Sequence, residues 1–226
     1  MSLKEFTREL NSKNVEGELI KTLIYSLITC VLTLGILYFV TLQNVPSFVS
    51  DYVLFLVLGG LSIVLITPTL RQVRAYKEFS CMTGMMLGMT TGMISGFLMG
   101  FFIGATNGMF VGGLFGMTVG IVLGVFVGKT GGVMGIMEGL MSGFMGGWMG
   151  AMTSVMLLND HLKLASGIIF GVCAIILICL NYLIFTETRE TSRQLEEDHF
   201  FTVFVSFILM VAVTWVMVFG PKASGF

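Results

Sequence analysis

Long apolar runs broken by short polar stretches fill most of the chain. Seven of them lie at about 19 to 42, 52 to 70, 80 to 103, 109 to 128, 133 to 157, 164 to 185 and 200 to 219. Each is close to the roughly 20 residues that a helix needs to cross about 30 Å of hydrocarbon. The pattern predicts an all-α, polytopic integral membrane protein with about seven transmembrane helices. Connections between the third, fourth and fifth runs are short enough that a six-helix or re-entrant variant also fits.

Inside this pattern glycine recurs at every fourth position, at Gly84, Gly88, Gly92, Gly96, Gly100, Gly104, Gly108, Gly112, Gly116, Gly120, Gly124, Gly128 and Gly132. The ladder slips by one residue and resumes at Gly135, Gly139, Gly143 and Gly147. A glycine inside a soluble helix costs roughly 1 kcal/mol relative to alanine. In a bilayer the backbone has no water to turn to, and small residues four apart let helix backbones approach closely. The ladder therefore predicts a glycine-zipper inner block, helices three to five at about 80 to 157, packed with right-handed crossings near −40°. The partner glycine faces belong either to the same chain or to a homo-oligomer or membrane-complex partner.

Composition agrees: 55% of the 226 residues are hydrophobic and 11% charged, and mean hydropathy is +0.95. A net charge of −1 and the lack of a large polar domain argue against nucleic-acid binding and against an enzyme. With the amino terminus inside, Lys4, Arg8, Lys13, Lys21, Arg71, Arg74, Lys77, Lys129, Arg189 and Arg193 fall on the inner side, and only Lys163 and Lys222 outside. This asymmetry predicts a cytoplasmic amino terminus, an outer carboxyl terminus and residence in the cell membrane. Residues 1–17 read as a cytoplasmic amphipathic segment on the inner surface, with Leu3, Phe6 and Leu10 on one face, and 18–226 as a single transmembrane domain.

The inner block holds 15 of the 18 methionines and 21 of the 29 glycines, so the rest of the chain reads as an ordinary apolar wrapper. On a helical wheel Met134, Met137, Met141, Met145 and Met149, continued by Met152 and Met156, form one face of the fifth helix. Gly135, Gly139, Gly143, Gly146, Gly147 and Gly150 form the opposite one. The third helix opens with a similar stripe of Met82, Met85, Met86, Met89 and Met93. Thioethers are soft ligands, so aligned methionines can pass Cu(I) while rejecting hard cations. They can equally fill the irregular gaps left where glycine-lined backbones pack.

Met85-x-x-x-Met89 and Met89-x-x-x-Met93, with Gly92-x-x-x-Gly96, resemble the M-x-x-x-M and G-x-x-x-G elements of the high-affinity copper-uptake transporters. The resemblance covers about a dozen residues. It implies Cu(I) selection by methionine rings in an oligomer. Three helices in that family stand against seven here, and its methionine-rich outer domain and carboxyl-terminal Cys/His cluster have no counterpart, so the likeness is one of chemistry.

Glu138, on the methionine face of the fifth helix, is the one acidic residue well inside the block. It is a candidate for charge balance or proton exchange, or a partner for Lys129. Asn107, Thr106, Asn159, Asp160 and His161 mark outer turns, and Thr90, Thr91 and Ser95 suit bonds to helix carbonyls. The four cysteines form no C-x-x-C pair. The reading is membrane transport or handling of a soft monovalent metal ion, Cu(I) first among them. Two alternatives accompany it: a structural or assembly subunit packed through glycine helices, and a channel or transporter for another small solute gated at Glu138.

Overall fold

The computed structural model describes residues 15–40, 52–76, 79–158, 161–188 and 199–221. The expected amphipathic helix at the amino terminus and the turn residues Asn159 and Asp160 lie outside the described residues. Among the described residues all regular structure is helical: α1 (Val15–Val40), α2 (Val53–Ala75), α3 (Cys81–Asn107), α4 (Met109–Gly128), α5 (Gly132–Met156), α6 (Leu162–Thr188) and α7 (His199–Phe219). Among the described residues six segments are long and apolar enough to cross a membrane. The fourth, Met109–Met156, is 48 residues long and comprises α4, a 3-10 turn at Lys129–Gly131 and α5.

Two glycines reverse the chain within this block. Gly108, between α3 and α4, has φ 93°, and Gly132, the first residue of α5 directly after the 3-10 turn, has φ 73°. Both lie in the left-handed region where a β-carbon is strained, so each reversal takes almost no chain. At its other end α3 starts on Ser80, whose hydroxyl accepts from the Thr83 N–H at 3.3 Å, satisfying one of the unpaired donors of a helix start.

α3, α4 and α5 then pack backbone against backbone. A β-carbon on Gly120 would stand 2.9 Å from the Gly92 carbonyl oxygen, 2.9 Å from the Gly96 α-carbon and 3.0 Å from the Gly143 α-carbon. One on Gly124 would stand 2.6 Å from the Gly139 oxygen and 3.0 Å from the Gly92 α-carbon. These distances are closer than side-chain atoms approach, so the glycines make the contact possible. Along α4 and α5 the partners run Gly128 with Gly135, Gly124 with Gly139, and Gly120 with Gly143. Each step of four back along α4 meets a step of four forward along α5, which is the register of an antiparallel hairpin. α3 meets α5 in the parallel sense, Gly88 against Gly135, Gly92 against Gly139 and Gly100 against Gly147. The glycine faces are therefore occupied within one chain. At the margin Gly113 makes room for the ring of Trp148, whose Cε3 would lie 2.8 Å from a β-carbon there.

The wrapper closes on this block through conventional packing. Leu56, Ile63, Ile66 and Leu70 of α2 are buried together with Leu98, Met99, Phe101, Phe102 and Ile103 of α3. Asn107 donates from Nδ2 to the Val216 carbonyl at 3.0 Å and accepts from the Thr106 hydroxyl at 2.7 Å, tying the end of α3 to α7.

The glycine contacts generate a test with an internal control. Gly120→Ala puts a methyl group among main-chain atoms of two other helices that cannot rotate away, and should destabilise the fold by about 1–3 kcal/mol. Gly171→Ala on α6 meets nothing within 4 Å and should leave the thermal midpoint of the purified protein unchanged. Equal midpoints for the two variants would contradict the packing described.

Candidate functional site

Because the glycine face of α5 is the packed one, the methionine face opposite it must point away. Met134, Met137, Met141, Met145, Met149, Met152 and Met156 are all exposed, Met141 by 60%, while Gly135, Gly139, Gly143, Gly146, Gly147 and Gly150 are buried. On α3, Met82, Met86, Met89 and Met93 are exposed, Met85 is half-buried and Met99 fully buried. Among the described residues no thioether-lined passage runs through the inside of the block, where the three helices meet through glycine main chain.

The two stripes nevertheless border one outer surface. Since Gly88 lies level with Gly135 and Gly92 with Gly139, Met86, Met89 and Met93 stand at about the heights of Met134, Met137 and Met141. A β-carbon on Gly146 would lie 3.0 Å from the Met93 α-carbon, so the α3 stripe abuts the flank of α5 that carries Met145 and Met149. Exposed positions elsewhere have a different composition: Val31, Leu32, Ile36 and Phe39 on α1, and Leu164, Ile168, Val172, Ile175 and Ile178 on α6. Methionine is concentrated on one exposed surface and not spread over all of them.

Glu138 is half-exposed beside this surface and has no hydrogen-bond or ion-pair partner among the described residues. The expected pairing with Lys129 is not formed; Lys129 is exposed at the turn. Thr90 and Ser95 bond back to the carbonyls of Met86 and Thr91 at 2.6 and 2.7 Å, as residues of structural use do. Cys30 and Cys173 are buried, Cys81 and Cys179 exposed, and all four are free. Among the described residues no group of three His, Cys, Asp or Glu side chains could hold a metal ion.

A polar seam that the sequence reading passed over runs through the wrapper. The Ser26 hydroxyl of α1 bonds Thr67 of α2 at 3.2 Å and Ser206 of α7 at 2.9 Å. One turn further along, the Arg71 guanidinium donates to the Thr22 hydroxyl at 2.5 Å. Beyond it, Arg74 lies 4.2 Å over the ring of Phe201, a cation–π contact. On the far side of α2 the Thr69 hydroxyl donates to Asn181 Oδ1 of α6 at 3.0 Å. Gln72, 1% exposed, has neither amide atom hydrogen-bonded. Thr22 with Ser26, Thr67 with Arg71 and Thr202 with Ser206 are each spaced by four within their helices, a signal that sequence could have supplied.

No family model, curated protein or solved structure matches the chain.

Two substitutions probe the seam in opposite directions. Ser26→Ala leaves the hydroxyls of Thr67 and Ser206 without their shared partner and should lower stability by about 0.5–1.5 kcal/mol, the usual scale for such bonds in membrane proteins. Gln72→Leu removes two orphaned polar atoms for a side chain of similar shape and should raise it by about 1–3 kcal/mol. Thermal unfolding in one detergent reads both signs; a stabilising Ser26→Ala or a destabilising Gln72→Leu would contradict the contacts described.

Proposed function

We propose that the protein is a non-catalytic subunit of a membrane assembly, with its basic helix ends towards the cytoplasm. The glycine block forms a rigid post, and the exposed methionines of α5 and α3 form its contact surface for another apolar helix. One observation carries this reading: methionine predominates among the exposed large side chains of α5 and α3, beside Val133, Leu140 and Phe144, where α1 and α6 expose mainly Leu, Ile, Val and Phe. Acyl chains accept any of these side chains, so lipid alone gives no reason for the difference. Methionine is unbranched and polarizable and repacks against varied surfaces, which suits a docking face in a bilayer. A dense post suits it too, because docking then costs little ordering of the post itself.

A second reading, handling of a soft monovalent metal such as Cu(I), draws on the length of the ladder. Met134 to Met156 is a rise of 22 residue steps, about 33 Å at 1.5 Å per step, which matches the hydrocarbon thickness. Glu138 beside it would supply a countercharge. With the block sealed by backbone, such a path lies where the methionine faces of two copies meet, and α3 adds its own sulfurs along the edge.

Replacing Met134, Met137, Met141, Met145 and Met149 together by leucine keeps volume nearly constant while removing the sulfurs and the adaptability of the side chains. For the docking reading the folded monomer should keep its melting temperature, association at this face should weaken, and Ag(I) should bind neither parent nor variant stoichiometrically. Disulfide trapping through Met141→Cys reports the association when the partner is a second copy. Stoichiometric Ag(I) binding to the parent that disappears in the leucine variant would establish the metal reading instead.

A further inference from the structure

A cleft of about 260 Å³ opens between α1, α2 and α6, lined by Leu19, Ile20, Leu23, Leu65, Pro68, Leu177, Ile178 and Asn181. Seven of its eight lining residues are apolar. The eighth is Asn181, whose Oδ1 accepts from the Thr69 hydroxyl at 3.0 Å, an arrangement that leaves Nδ2 with two N–H donors. Nδ2 has no hydrogen-bond partner among the described residues and is not among the fully buried orphaned atoms, so it keeps some accessible surface on a residue that lines the cleft. All three walls are helices long and apolar enough to cross a membrane, where an unmatched N–H costs free energy that water cannot recover.

The occupant must therefore be a mainly apolar chain that carries an uncharged hydrogen-bond acceptor. Asn181 lies seven residues from the end of α6 at Thr188, roughly 10 Å along the helix axis. A helix of 27 residues is about 40 Å long and overhangs a ~30 Å hydrocarbon core by about 5 Å at each end. The Asn181 backbone then stands about 5 Å inside the core, within side-chain and hydrogen-bond reach of glycerol ester carbonyls at the core's edge. Pro68 on the opposite wall has no N–H, and so leaves the Val64 carbonyl without its usual helical donor; the cleft edge is irregular where a lipid would lie.

We propose that this cleft holds one acyl chain of a membrane glycerolipid, with an ester carbonyl of that lipid accepting a hydrogen bond from Asn181 Nδ2. The lipid lies between α1 and α6, with α2 forming the third wall. This site is on a different face from the methionine surface and is independent of what that surface binds.

The test uses the full chain in detergent, titrated with a dioleoyl phosphatidylcholine and with its dialkyl ether analogue, which lacks ester carbonyls; binding is read by native mass spectrometry and by the shift in melting temperature. One phosphatidylcholine should bind per chain, at least fivefold more tightly than the ether analogue. Leu23→Trp, which fills the cleft, should lose binding of both lipids while keeping its lipid-free melting temperature within a few degrees. Leu65→Phe, a smaller filling change, should weaken both in case the tryptophan variant does not fold. Asn181→Leu should bind the ester and ether lipids equally. Binding that survives both filling variants, an absence of ester preference in the parent, or occupancy by detergent only would overturn the proposal.

Discussion

Contact between main chains, with no side chain in between, is what the rest of this molecule depends on. In water such contact has little to recommend it, because glycine helices lose more conformational freedom than they regain. In a bilayer the unfolded alternative is already helical, so that loss shrinks, and close approach gains dispersion and weak Cα–H···O contacts worth about 0.5–1 kcal/mol each. The carbonyl oxygens of Gly135, Gly139 and Gly143 face the bare α-carbons of Gly88, Gly92 and Gly96, repeating one interaction along three helices. Any residue larger than glycine at the centre, such as at Gly120, has main chain on more than one side of it.

That choice fixes where everything else can go. Glycines turned inward on α5 leave its methionines outward, and the tight reversals at Gly108 and Gly132 hold the three helices together with almost no loop. The remaining helices cannot join by the same device, since their exposed and packing faces are built from larger apolar residues. They are held instead by the core of α2 against α3, by the bond from Asn107 to Val216, and by the hydroxyl seam of Ser26, Thr67 and Ser206. Dense backbone packing in the centre and sparse polar bonds in the wrapper thus divide the work of cohesion.

Much of this architecture was legible in the residues. The seven apolar runs match α1 to α7 to within a few residues at most ends, because length, hydropathy and punctuation by glycine are local properties. The one-residue slip after Gly132 was visible too, although its meaning, the register of an antiparallel hairpin, emerges only when α4 and α5 are laid side by side. The direction of the methionines was less well read. A wheel separates Met141 from Gly143 but does not say which is inside, and the physical answer follows from the glycines: a face selected for close approach has to be the buried one. The seam was only half legible: the spacing by four of Thr22 with Ser26, Thr67 with Arg71 and Thr202 with Ser206 marks a polar stripe on each helix, but which stripes meet is decided only by tertiary placement. Glu138 was picked out for its isolation, and it stays unpartnered among the described residues.

The central claim, that the glycine helices meet one another within a single chain, is tested most directly by solid-state NMR on glycine-¹³Cα-labelled protein in lipid. Interhelical contacts between glycine α-carbons, such as Gly96 with Gly120 and Gly120 with Gly143, should appear and should keep their intensity when labelled chains are diluted into an excess of unlabelled ones. Contacts that fade in proportion to dilution, or that never appear, would contradict the account.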